Sequence, residues 1–71
     1  MSDMERLHRI KYMIQQRKCV PIDDFLNELE ISKATFKRDL EYLRSRLKAS
    51  IVYDRFLNGY KFEFPDQIDK I

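Results

Sequence analysis

The chain has 71 residues, a formal net charge of +2, 44% hydrophobic residues, one cysteine and one glycine. This length fits one small domain, and the low glycine and proline content excludes a low-complexity chain. A single cysteine excludes an internal disulfide and favours a reducing compartment, so we expect a cytoplasmic protein. Because the N-terminus is polar and no apolar run approaches roughly 18 residues, we expect neither a signal peptide nor a membrane span.

Positive charge is concentrated in one part of the chain. Residues 1–32 carry a net charge of −1, residues 33–61 carry +5, and residues 62–71 carry −2. This uneven distribution indicates a negatively charged partner for the middle segment.

The first predicted helix runs from about Asp3 to Arg17. Residues 19–22 interrupt the helical pattern, because Pro21 lacks a backbone donor and disfavours helix at the residue before it. We expect an extended connector or one edge strand there. The buried stripe of the first helix is predicted to be Leu7, Ile10 and Ile14, with Met13 at its edge.

A second predicted helix covers about residues 23–29 and begins at Asp23 or Asp24. After a three-residue turn, a third helix is predicted over about residues 33–48, with Ser32 as its N-cap. Its apolar stripe is Phe36, Leu40, Leu43 and Leu47.

The other faces of the third helix are polar and mostly cationic. Ser, Thr, Lys and Arg in the first two turns of a helix suit the major groove of DNA, where they meet phosphates and base edges. The alternative is a solvated helix face, but the cap, the preceding turn and the +5 segment favour DNA. Asp39 is acidic among these cations, and we expect it to pair with a basic side chain or to steer a neighbouring arginine.

After the third helix the pattern alternates with a period of two, which predicts strands at residues 51–54 and 60–64. Asn58 and Gly59 predict the turn between them, because both tolerate positive φ. We expect substitution of Gly59, at an exposed tip, to affect stability only modestly. We interpret the aromatic residues as core rather than as a platform for single-stranded nucleic acid; they are Tyr42, Tyr53, Tyr60, Phe62 and Phe64.

The order of elements predicts a mainly helical α+β fold, a winged helix-turn-helix of three helices with a C-terminal β-hairpin as the wing. We assign residues 1–64 to this domain and residues 65–71 to a tail, or to a linker if a further domain follows.

The run from Ile31 to Leu43, ISKATFKRDLEYL, resembles the recognition-helix signature of DeoR-type winged helix-turn-helix domains. Residues 51–60 resemble the wing of the subgroup in which this domain precedes a WYL effector-binding domain, and residues 6–10 resemble its first helix. The resemblance covers about residues 4–64. It implies a bacterial transcription regulator, in most members a repressor, that binds double-stranded DNA.

The resemblance also implies which residues contact DNA. In the third helix and its cap they are Ser32, Lys33, Thr35, Lys37 and Arg38, and at the wing tip they are Asn58 and Gly59. From the residues themselves, Arg44 is equally well explained as a phosphate contact or as a solvated side chain. Arg55 is a candidate for phosphate or minor-groove contact. Family members often act as dimers, which makes a homodimer a candidate partner, and a small-molecule or nucleotide effector requires a further domain.

The sequence offers no constellation for catalysis. It contains no set of zinc ligands, no Gly-rich phosphate loop and no catalytic triad, so we expect a non-enzyme without metal or cofactor. The leading hypothesis is sequence-specific binding of duplex DNA for transcriptional regulation, most often repression, with helix 33–48 in the major groove and hairpin 51–64 as the wing. The alternative is a winged-helix module for protein–protein interaction or dimerisation that does not bind DNA.

Overall fold

Three helices precede a two-stranded antiparallel sheet in the computed structural model, which describes residues 3–64. This arrangement confirms the predicted mainly helical fold of a winged helix-turn-helix. The elements are α1 (Asp3–Arg17), α2 (Ile22–Leu29), α3 (Lys33–Ser45), β1 (Ile51–Asp54) and β2 (Gly59–Phe62). Among the described residues, no helix is long and apolar enough to cross a membrane. The predicted tail at residues 65–71 lies outside this range.

The core contains the stripes that helical periodicity predicted. Leu7, Ile10 and Ile14 of α1 are buried, as are Phe25 and Leu29 of α2. From α3 and the segments after it, the core adds Phe36, Leu40, Leu43, Ala49, Ile51, Tyr60 and Phe62. The rings of Phe25 and Phe36 stack with their centroids 4.7 Å apart, and the Tyr60 ring packs edge-on against both.

Helix α2 begins one residue earlier than predicted, at Ile22. Pro21 occupies the N-cap position with φ −65° and ψ 152°, and no side chain caps the helix. The prediction that Asp23 or Asp24 starts the helix is therefore wrong. Proline suits this place because a helix start needs no donor there. Both carboxylates instead lie in the first turn, where the helix dipole favours negative charge.

Helix α3 ends at Ser45 and not at the predicted residue 48. Lys48 takes a positive φ of 56°, which reverses the chain direction. The amide of Ala49 then donates to the Leu43 carbonyl at 2.9 Å, and Ala49 is buried. Leu47 still packs against the core although it lies beyond the helix.

Strand β1 covers the predicted residues 51–54, whereas β2 begins one residue earlier than predicted and ends at Phe62 instead of residue 64. Tyr53 pairs with Tyr60 and Asp54 with Gly59, so β2 begins at Gly59 and the turn consists of residues 55–58. Tyr60 also exchanges two backbone hydrogen bonds with Val20, of 2.9 and 2.8 Å. This bridge confirms the extended connector predicted after α1.

Three of the five aromatic residues assigned to the core are not buried. Tyr42, Tyr53 and Phe64 are 44%, 47% and 51% exposed, whereas Tyr60 and Phe62 are buried. The alternation placed Tyr53 correctly on the face of Tyr60. However, a two-stranded sheet on a small helical bundle covers only part of that face.

Gly59 does not lie at the wing tip, which corrects the sequence-based placement. It is buried in β2 and its φ is not positive. A Cβ atom there would lie 2.7 Å from the Cys19 Sγ and 2.9 Å from the Val20 carbonyl carbon. Glycine is required because the α1–α2 connector approaches this strand closely.

Gly59→Ala should therefore destabilise the fold by about 1–3 kcal/mol, because the new methyl group must displace backbone atoms. This replaces the expectation of a modest effect. Urea denaturation measures the change. Asn58→Gly is the matched control, since Asn58 has a φ of 54° that glycine adopts without strain and only one exposed hydrogen bond, from the Tyr53 hydroxyl, is lost.

Cys19→Ala combined with Gly59→Ala should restore part of the lost stability, because it removes the contact with sulfur but not the contact with the Val20 backbone. Wild-type stability of Gly59→Ala alone would contradict the close packing.

Candidate nucleic-acid interface

The N-terminus of α3 is organised by its cap. The Ser32 Oγ accepts a hydrogen bond from the Thr35 amide at 3.2 Å and donates one to the Thr35 Oγ1 at 3.1 Å. This arrangement satisfies one of the free amides of the first turn. It confirms Ser32 as the predicted cap and leaves both hydroxyl groups at the outer start of the helix.

Three cations stand on the exposed side of α3 within its first two turns: Lys33, Lys37 and Arg38. Lys33 and Arg38 make no hydrogen bond or ion pair with any residue in the range 3–64. Lys37 donates to the Tyr60 hydroxyl at 3.2 Å, with its Nζ 5.9 Å from the ring centroid. The charges of Lys33 and Arg38 are thus available to an external anion, whereas Lys37 is oriented by its contact with Tyr60 of the hairpin.

Arg44 has a structural contact that the sequence did not indicate. Its Nε donates to the Ile51 carbonyl at 2.8 Å, which ties the last turn of α3 to β1. The remaining guanidinium donors are not used in this contact. Arg44 is exposed, so its remaining donors can meet either a phosphate or solvent, and phosphate contact stays a prediction.

A groove separates α3 from the hairpin. Its cations come from α3 and its aromatic rings from the two strands. The lining residues are Ile22, Lys33, Lys37, Leu40, Glu41, Arg44, Tyr53 and Tyr60. With three cations and one carboxylate, the groove suits a polyanion running between helix and wing.

On the other side, Asp39 connects α3 to α1. The buried Asp39 accepts two hydrogen bonds from Arg6, one from its Nε and one of 3.0 Å from its Nη2, and Arg6 also pairs with Asp3 at 3.1 Å. The hydrogen bond to Asp39 raises the pKa of Arg6, against the opposing effect of burial. This confirms that Asp39 pairs with a basic side chain. The partner, 33 residues away, could not be identified from the sequence.

The hairpin turn is held by Asp54 and Asn58. The Asp54 Oδ1 accepts from the amides of Phe56 and Leu57, at 2.8 and 3.0 Å, and its Oδ2 pairs with the Lys61 Nζ at 2.9 Å. The hydrogen bond from Lys61 and those from the two amides lower the pKa of Asp54. The Asn58 Oδ1 accepts from the Tyr53 hydroxyl at 3.3 Å.

The predicted DNA-contacting residues therefore fall into two groups and one exception. Ser32, Thr35 and the cations gather at the start of α3 and along the groove, while Arg55 and Asn58 lie in the exposed turn. The buried Gly59 is the exception. The exposed Phe56 was missed, and an apolar pair in an otherwise polar turn was the available signal. Among residues 3–64, no cluster of three or more His, Cys, Asp or Glu side chains is arranged to hold a metal ion.

Asp39→Ala should lower the free energy of unfolding by about 1–3 kcal/mol, because Arg6 would remain mostly covered but lose its buried partner and keep only the exposed Asp3. Arg6→Met and the double variant complete the cycle that isolates the pair. The neighbouring Arg38→Met, which loses no contact, should change stability by less than about 0.5 kcal/mol. A coupling energy near zero in the cycle would show that the pair does not hold α1 to α3.

Comparison with known proteins agrees with this geometry. The family model of the DeoR-like helix-turn-helix domain matches residues 6–63, which include all of α2, α3 and the hairpin. No curated protein sequence and no solved structure gave a significant match. Because the match covers most of its length, the chain belongs to the family of DeoR-like helix-turn-helix domains, which indicates DNA binding and transcription regulation.

Proposed function

We propose that this domain binds double-stranded DNA in a sequence-specific manner, as part of a transcriptional repressor. The observation that carries the proposal is the two-sided construction of α3. Its inner face is buried and anchored through Asp39, whereas Lys33 and Arg38 stand exposed and unpaired on its outer face. A cationic helix start of this kind is what a recognition helix presents to a major groove.

The docking follows from dimensions and charge. The 13 residues of α3 span roughly 20 Å, and the major groove, about 12 Å wide, admits one helix. The hairpin beside α3 then meets the adjacent phosphate backbone or minor groove. Lys37 and Arg44, in the groove between them, are placed to neutralise phosphates of the strand that separates the two DNA grooves.

The wider assignment rests on the resemblance of the wing and first helix to regulators with a WYL domain. We place the domain in a bacterial, cytoplasmic repressor of that kind, without enzymatic activity. A homodimer would engage two half-sites about one helical turn apart. An effector would act through a further domain, because the groove described above is occupied by DNA in this proposal.

Affinity for duplex DNA should fall steeply with salt. If Lys33, Lys37, Arg44 and Arg55 each neutralise a phosphate, log K should fall linearly with log salt with a slope of about −3 to −4. Fluorescence anisotropy with a random-sequence duplex, titrated at several salt concentrations, measures this slope. A flat response, or no binding at low salt, would contradict DNA binding. Self-association in sedimentation under those conditions would support the protein-interaction alternative.

Arg38 and Lys33 should differ in what they contribute. Arg38→Ala should cost about 1–3 kcal/mol on a duplex selected from a randomised library and relax the preference at one base pair, because a guanidinium can address guanine with two hydrogen bonds. Lys33→Ala should weaken selected and random duplexes alike. Lys11→Ala, which removes a cation from α1, is the control. Equal losses of Arg38→Ala on both duplexes would make Arg38 a phosphate contact.

A further inference from the structure

The wing tip carries two adjacent apolar side chains that are not part of the hydrophobic core. Phe56 is 97% exposed, the most exposed large apolar side chain among the described residues, and the adjacent Leu57 is 61% exposed. A single exposed apolar residue needs no explanation. Here two of them adjoin in a four-residue turn, next to Arg55.

This turn presents the pair in a fixed conformation. Asp54 accepts hydrogen bonds from the amides of both Phe56 and Leu57 and is itself paired with Lys61 on the opposite strand. From the other side, the Tyr53 hydroxyl donates to Asn58, whose φ of 54° closes the turn. Fixing the backbone of the tip reduces the backbone conformational entropy that is lost when the exposed side chains meet a partner.

The tip is close to the candidate DNA surface. The Tyr53 and Tyr60 rings lie 5.2 Å apart along the groove, and Lys37 of α3 contacts Tyr60. Phe56 follows Tyr53 by three residues, so the tip is within about 10 Å of that groove. With α3 in the major groove, the tip would lie on the side of α3 where one phosphate strand separates the major groove from the neighbouring minor groove.

We propose that Phe56 is a wedge that inserts between two base pairs from the minor groove and kinks the duplex, with Leu57 widening the opening. The proposal rests on DNA binding through α3 as argued above. Phe and Leu are among the side chains that unstack base steps in this way, and flexible pyrimidine–purine steps are the easiest to open. Arg55 beside them complements the negative potential of the minor groove. A second copy of the chain is a less suitable partner, because the two Arg55 side chains would repel each other in a symmetric contact between the tips.

The test uses 2-aminopurine placed in turn at each TA and CA step of a duplex selected by the wild-type protein. Wild-type protein should raise the fluorescence at one step outside the part read by α3. Phe56→Ser should abolish this increase and weaken binding about fivefold to tenfold. Phe56→Leu should keep most of the signal. Tyr12→Ser, which removes an exposed aromatic side chain from α1, should keep both signal and affinity.

Several results would overturn the wedge. Unchanged fluorescence and affinity in Phe56→Ser would leave DNA binding intact and remove the wedge alone. Loss of a dimer in sedimentation, with the fluorescence increase preserved, would assign the tip to a protein contact. Failure of the wild-type protein to bind any duplex would overturn the wedge together with the proposed function.

Thermal melting of Phe56→Ser is the control for folding. We expect it to be unchanged, because the Phe56 side chain makes no core contact.

Discussion

The close contact between the α1–α2 connector and the start of β2 is the constraint on which the rest of the structure depends. Val20 and Tyr60 exchange two backbone hydrogen bonds, and Gly59 permits this approach because it has no Cβ. The Tyr60 ring therefore packs edge-on against Phe25 and Phe36, and its hydroxyl accepts a hydrogen bond from Lys37. Together with the hydrogen bond from Arg44 to the Ile51 carbonyl, this contact joins the hairpin to the helical core and positions the wing beside α3.

Helix α3 packs with one face and, in the proposed function, binds DNA with the other, and the charged side chains follow this division. Its inner face is apolar except for Asp39, whose charge is neutralised by Arg6 of α1. The residue before it, Arg38, is exposed and unpaired. A carboxylate turned inward therefore leaves the outer face cationic, and the ion pair also resists rotation of α3 about its own axis. Such a rotation would change which side chains face outward, because successive residues of a helix point about 100° apart.

In residues 3–64, every left-handed backbone position is occupied by a residue other than glycine. Lys18, Glu30 and Lys48 all take positive φ values just after the helices, and Asn58 does so in the hairpin. Such a backbone costs roughly 1–2 kcal/mol for an ordinary residue, so each must be held by its surroundings. The single glycine serves close packing instead. This explains why the turn rules placed Gly59 at the tip, since those rules assume that glycine marks the left-handed positions. The end of α3 was predicted too late for a different reason, because the apolar stripe continues to Leu47 beyond the helix.

The sequence by itself determined the order of the elements, the buried stripes of α1 and α3, the Ser32 cap and the cationic outer face, because each depends on neighbours within one or two turns or on strand alternation. Only the tertiary structure decided the roles that depend on distant partners. It assigned Arg6 to Asp39, Arg44 to the Ile51 carbonyl and Gly59 to the connector. Periodicity shows which side of an element faces inward, but not which residue of another element it meets. Those pairings arise from packing the elements together.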